Sequence, residues 1–313
     1  MRKTRGLFLA TLLLMSCLHC VGAAALAEPY TIALIAMDSM DQHWRKVQAG
    51  AEAAAAELGN VALTFDAPST KVDATVVQAQ LVQNQIDARV DAILLAAANR
   101  DALVPVVEEA KRAGIVVILI DSDISTDNYD AFYATDNGAA ARLAADELAA
   151  LIGGRGKVAI VNAQADAGTT MARENEFKER IAAHHPEIEV VDVQYSDGDK
   201  TRALNYATDF MARFPDLAGI YGCNEGSTVG VGNAVEQAGK AGEVKVVGFD
   251  FSDDVKALIA GGAIQATMVQ NPFHMGYLGV KGAVDILAGK RLESKDVDTG
   301  VTVATPENLA NIQ

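Results

Sequence analysis

Short, wholly apolar runs alternate with longer amphipathic stretches along most of this chain. Tyr30 to Met37 reads as a strand, Gln42 to Leu58 as an amphipathic helix, Val61 to Phe65 as a short strand, Val72 to Ala88 as a helix and Ala92 to Ala97 as a strand. A helix from Asp101 to Ala113, stopped by Gly114, leads to the β-branched run Ile115 to Ile120. Strands that are apolar along their length have both faces covered, so this alternation predicts a parallel sheet between two helical layers.

The pattern breaks after Asp121 into the polar loop Ser122 to Asn128, followed by Ala131 to Ala134 and a helix start at Thr135-Asp136-Asn137. A second series then begins, with strands at Lys157 to Asn162, Ile188 to Gln194, Leu217 to Cys223 and Val244 to Phe249. Helices at Thr170 to Ala183, at Thr201 to Arg213 and in a run ending near Gly239 separate them. Two series of similar size predict an α/β protein of two doubly wound lobes, and helix Phe273 to Ala288 is expected to return to the first. Within Leu217 to Ser252 the order is strand, helix, parallel strand. Such sheets bind ligands beyond the carboxyl ends of their strands, which places Asn224 and Asp250 at one crevice.

The amino end changes the picture of where this fold operates. Arg2, Lys3 and Arg5 precede the apolar run Leu7 to Cys17, and Ala25-Leu26-Ala27 offers small residues for cleavage. Residues 1–27 therefore read as a secretory signal peptide, the apolar run being shorter than the ~20 residues of a spanning helix. Leu14-Met15-Ser16-Cys17 is a weak match to a lipoprotein box. The formal net charge is −15, and the leader removes basic residues only, so nucleic acid is a poor partner for the mature surface. Cys17 and Cys20 lie in the leader, which leaves Cys223 with no internal disulfide partner. A buried place at a strand end suits it.

Several motifs fail on context. Gly153-Gly154-Arg155-Gly156-Lys157 lacks the Ser or Thr of a phosphate loop and opens a strand, and Gly230-Val231-Gly232 lies inside a helix rather than at a strand-to-helix turn. His184-His185-Pro186 has no companions at metal-ligand spacing. No nucleophile-base set stands out, so the reading is of a binding protein that needs neither cofactor nor metal. Candidate chemistry sits instead on polar residues at strand ends. Asp121 ends the run Ile115 to Ile120, where a carboxylate can accept from two neighbouring hydroxyls or simply shape a turn.

Asn224-Glu225, Gln237-Ala238-Gly239-Lys240 and above all Val246-Val247-Gly248-Phe249-Asp250 carry a resemblance to the ribose-type branch of periplasmic sugar-binding proteins, the solute receptors of ATP-driven importers. Gly168-Thr169-Thr170-Met171-Ala172-Arg173-Glu174 is similar to a second motif of that family. The resemblance covers nearly all of the chain after the leader and implies the type I periplasmic binding protein fold, with lobes joined by crossings near residues 134, 270 and 296. The first lobe would comprise 28–134 and 271–295, and the second 135–270 and 296–313.

It further implies that Asp121, Arg173, Asn224, Asp250 and Gln270 contact ligand. Trp44, the only tryptophan, would supply a stacking face for sugar C–H groups or else belong to the core, with Asp41 beside it and His43 at a second aromatic position. Ser122 stands where ribose binders often have arginine, Ala96 about where they have asparagine, and Gly198 near a third aromatic. These departures leave the ligand as a monosaccharide or related polyol, not ribose in particular. The expected partners are that ligand, a membrane permease, and in a signalling role a chemoreceptor or sensor kinase; a monomer is expected. A repressor effector domain is disfavoured by the export signal, and an enzyme by the missing catalytic set.

Overall fold

The computed structural model describes residues 28–39, 42–70, 73–165 and 168–312. The expected signal peptide, residues 1–27, and Asp41 lie outside them. The first series forms β1 (Tyr30–Ile35), α1 (Gln42–Leu58), β2 (Val61–Asp66), α2 (Ala74–Ala88), β3 (Ala92–Leu95), α3 (Val104–Arg112), β4 (Val116–Ile120) and β5 (Ala131–Ala134). The second forms α4 (Asn137–Leu151), β6 (Gly156–Asn162), α5 (Gly168–His184), β7 (Ile188–Tyr195), α6 (Lys200–Arg213), β8 (Leu217–Gly222), α7 (Glu225–Gln237), β9 (Lys245–Phe249), α8 (Asp253–Ala260) and β10 (Ala266–Gln270). The chain ends with α9 (Pro272–Leu287), β11 (Asp296–Asp298) and β12 (Val301–Ala304).

These strands make two six-stranded sheets, ordered β2-β1-β3-β4-β5-β11 and β7-β6-β8-β9-β10-β12. The orders are the same strand for strand, so β4 of one lobe occupies the place of β9 in the other. All pairings are parallel except that of β10 with β12. Each sheet is buried between helical layers: Trp44, Val47, Met275 and Val280 pack on one face of the first sheet, and Val82, Leu103 and Val107 on the other. The second is enclosed in the same way by α4 and α5 on one side and by α6, α7 and α8 on the other.

Most boundaries shift by one or two residues from the sequence reading, and two shifts have a clear physical reason. The helix expected from Asp101 starts at Val104, because Asn99 Oδ1 accepts from the N–H groups of Asp101 and Ala102 and holds them in a turn. Pro105 then suits the first helical turn, where its missing N–H is not needed. The third change of sheet, expected at residue 296, falls later. Asp296–Asp298 pairs in parallel with Phe132–Ala134, so the crossing runs between Asp298 and Val301. The other changes of sheet follow Ala134 and Gln270.

Candidate functional site

The carboxyl ends of β4 and β9 place two aspartates in equivalent positions. Asp121 follows β4 with φ 61° and Asp250 follows β9 with φ 70°, a left-handed conformation that Asp tolerates better than most residues. Each is held by the next strand of its sheet, Asp121 N–H donating to Tyr133 O at 2.9 Å and Asp250 N–H to Met268 O at 2.8 Å. Backbone strain of this kind is retained where surrounding structure fixes it, and it turns both side chains off the strand axis at the sheet edge.

Local sequence explains why β9 ends as it does. A methyl added at Gly248 would lie 2.2 Å from Thr228 Cγ2, so only glycine lets α7 approach this closely. Thr228 Oγ1 then accepts from Phe249 N–H at 2.9 Å, fixing the residue before Asp250. Asp250 Oδ1 accepts from Gln270 Nε2 at 2.6 Å and Oδ2 from Glu225 N–H at 3.0 Å. Asn224 caps α7, its Oδ1 accepting from Ser227 N–H at 3.1 Å. The cap leaves its amide N–H groups as the part best suited to a ligand oxygen.

Arg173, on α5, is more deeply built in than a surface binding residue. It is 3% exposed. Its Nε donates to Asn137 Oδ1 at 2.8 Å and its Nη1 to Cys223 O at 3.0 Å. The guanidinium lies over the Phe249 ring at 3.7 Å, and Nη1 is 3.9 Å from Asp250 Oδ2. Stacking on an aromatic face while forking to oxygens is a task for arginine rather than lysine. Asn137 and Phe249 are the two partners that sequence reasoning missed. Phe249 was visible inside the Val-Gly-Phe-Asp motif, whereas Asn137 looked like any residue at a helix start.

In the first lobe, His43 Nε2 lies 3.3 Å from Asp121 Oδ1 and Ser122 Oγ donates to Asp121 Oδ2 at 3.2 Å. Burial acts to raise the Asp121 pKa, but the charge and hydrogen bond of His43, the charge of Arg173 and the Ser122 hydroxyl outweigh it, leaving the carboxyl below its ordinary value. Asp121 is thus a buried anion. Trp44 meets His43 edge-on at 4.7 Å and is 5% exposed within the first-lobe core. Its packing role is substantial, and His43 is the ring beside the carboxylate.

The structure brings His43, Trp44, Asp121 and Ser122 together on one lobe and Arg173, Asn224, Asp250 and Gln270 on the other. The lobes meet directly. A methyl on Gly168 at the start of α5 would sit 2.6 Å from Asp123 Oδ1 of the first lobe, and Asp123 is itself paired with Arg100 at 3.0 Å. At the rim, Gln42 and Lys46 of one lobe and Phe251, Ser252 and Lys256 of the other line a cavity of about 230 Å³. Carboxylates, amides and a guanidinium converging from two lobes suit a small ligand with several hydroxyls. Each carboxylate oxygen can accept O–H, and Arg173 and the amides can donate to ligand oxygens.

Comparison with known proteins agrees with that chemistry. Residues 32–291 match the family described as periplasmic binding protein domain. The chain is 31% identical over 271 residues to the D-allose-binding periplasmic protein of Escherichia coli, covering 84% of this chain and 86% of that protein. Among solved structures, an ABC transporter solute-binding protein from Agrobacterium vitis with bound D-fucose is 39% identical with a TM-score of 0.83, covering 89% of this chain and 96% of that one. A carbohydrate transporter solute-binding protein from Agrobacterium radiobacter in complex with D-arabinose is 32% identical with a TM-score of 0.85, covering 92% and 97%.

Proposed function

From the premise that this chain belongs to the periplasmic binding protein domain family, we propose that it captures a monosaccharide or related polyol between its lobes and delivers it to the permease of an ATP-driven importer. The observation that carries this reading is the pair of strand-end carboxylates, Asp121 and Asp250, one from each lobe, with the Arg173 guanidinium 3.9 Å from Asp250 Oδ2. Sugar hydroxyls bridge such a pair, so contacts from both lobes are complete only in the closed form and ligand binding favours closure. The lobes that move are the two sheets with their helices, and the residues that take the sugar are His43, Asp121, Ser122, Arg173, Asn224, Asp250 and Gln270, with Trp44 behind His43. Asp41, adjacent in sequence, is a further contact carried by the resemblance alone.

Residues 1–27 act as a cleaved export signal and the mature receptor works in the periplasm as a monomer, binding sugar without transforming it. The D-allose, D-fucose and D-arabinose named for its relatives support the ligand class. A thermal-shift screen of pentoses, hexoses, polyols and cyclitols tests it. A ligand at ~100 times its Kd stabilises the native state by about 2.7 kcal/mol, which raises the melting temperature measurably. Shifts with amino acids or peptides and none with any polyhydroxylated compound would overturn the assignment.

A further inference from the structure

The three crossings between the lobes share an unusual feature: each holds a buried polar side-chain atom with no hydrogen-bond partner among the described residues. These atoms are Thr135 Oγ1 in the first crossing, Gln270 Oε1 in the second and Thr299 Oγ1 in the third. The residues are 4%, 8% and 7% exposed. Buried polar groups are nearly always satisfied, because leaving one unmade costs its full desolvation. Three in the three connecting segments mark the hinge as a place where polar groups are poorly satisfied.

The first and third crossings are also tied together. Asp298 Oδ1 accepts from Asp136 N–H at 3.0 Å and from Gly300 N–H at 2.9 Å, and Thr299 N–H donates to Ala134 O at 2.9 Å. A rotation of one lobe on the other therefore bends the Thr135 and Thr299 segments as a unit. The lobes touch in this structure, Gly168 of one lying against Asp123 of the other, so the unsatisfied hydroxyls belong to an arrangement in which the lobes are in contact.

We propose that Thr135 and Thr299 form a built-in opening bias, in which closure buries their hydroxyls without partners and opening returns them to water. This inference rests on the sugar-receptor reading and adds to it a means by which the site is regulated. Gln270 differs from the two threonines. Its Nε2 is fixed on Asp250, so its carbonyl oxygen is an acceptor that a bound sugar hydroxyl satisfies. Ligand thus relieves one of the three groups, while the threonines oppose closure whether or not ligand is present. The unliganded receptor rests open and the loaded one retains a drive to release its cargo.

Valine keeps the threonine shape and removes the hydroxyl. Thr135→Val and Thr299→Val should each tighten sugar binding about fivefold, the equilibrium factor for about 1 kcal/mol of relieved desolvation. The gain appears in full in the apparent affinity when the closed form is the minor unliganded state. Thr135→Ser and Thr299→Ser, which keep the hydroxyl, should bind as wild type. Small-angle scattering of the unliganded double valine variant should show a smaller radius of gyration than wild type. A wild-type radius with unchanged or weaker sugar affinity would overturn the proposal. Should no sugar bind wild type, the ligand assignment fails instead, and the scattering comparison alone decides whether the hinge is biased.

Discussion

Asp121 and Asp250 sit at positive φ, and that constrains how they are tested. Alanine at either position would add backbone strain to the loss of a carboxylate, whereas asparagine tolerates the left-handed region and keeps the volume. Asp121→Asn and Asp250→Asn should therefore keep the fold, at some cost in stability, and weaken sugar binding about 5- to 150-fold, corresponding to about 1 to 3 kcal/mol per mismatched polar group. Calorimetry measures the affinity and thermal unfolding the fold. Asp121 also has an acid signature. Its folded-state pKa lies below the ordinary 3.8, so the stability it contributes is complete above that value and is lost as pH falls through the lower folded-state one. Asp121→Asn should flatten the acid limb of a urea-midpoint profile below about pH 4. Arg173 and Trp44 behave differently from the aspartates. Arg173→Ala would leave Asn137 Oδ1 and Cys223 O buried without their donor, and Trp44→Ala would open a void in the first-lobe core. Both should lower the unliganded melting temperature as well as affinity, Trp44→Ala by about 3 to 5 kcal/mol of stability.

At the scale of elements, β9 and α7 approach most closely at Gly248. Gly248→Ala places a methyl where Thr228 stands, and the displaced Thr228 can no longer hold Phe249 N–H. The expected loss is about 1 to 3 kcal/mol in urea unfolding, accompanied by weaker sugar binding because Asp250 follows directly. The long elements were legible in sequence because parallel strands such as β4 and β9 are apolar throughout and their helices keep a clean spacing. The short ones were not. α8 has eight residues, and β11 and β12 are edge strands with partly exposed positions, too brief for periodicity to mark. The side of the third crossing on which residues 296–298 fall depends on pairing with β5, which no local pattern encodes. The site was legible where a residue ends an apolar run, as Asp121 and Asp250 do. It was obscure where a role arises from contact between distant segments, as between Asn137 and Arg173, or where one side chain serves both core and cleft, as Trp44 does.

At the scale of the molecule, two lobes with the same strand order carry equivalent aspartates at the carboxyl ends of β4 and β9, and the proposed capture between them requires relative motion of the lobes. The sole tryptophan lies beside His43, which makes its emission a convenient report of sugar binding. Closure itself is a change of shape, and small-angle scattering reads it directly. With the sugar identified by the thermal-shift screen at saturation, the radius of gyration of the wild-type protein should fall relative to the unliganded protein, and Asp250→Asn should require a correspondingly higher sugar concentration for the same compaction. A saturating, tightly bound sugar that left the radius of gyration unchanged would contradict capture by closure of the two lobes.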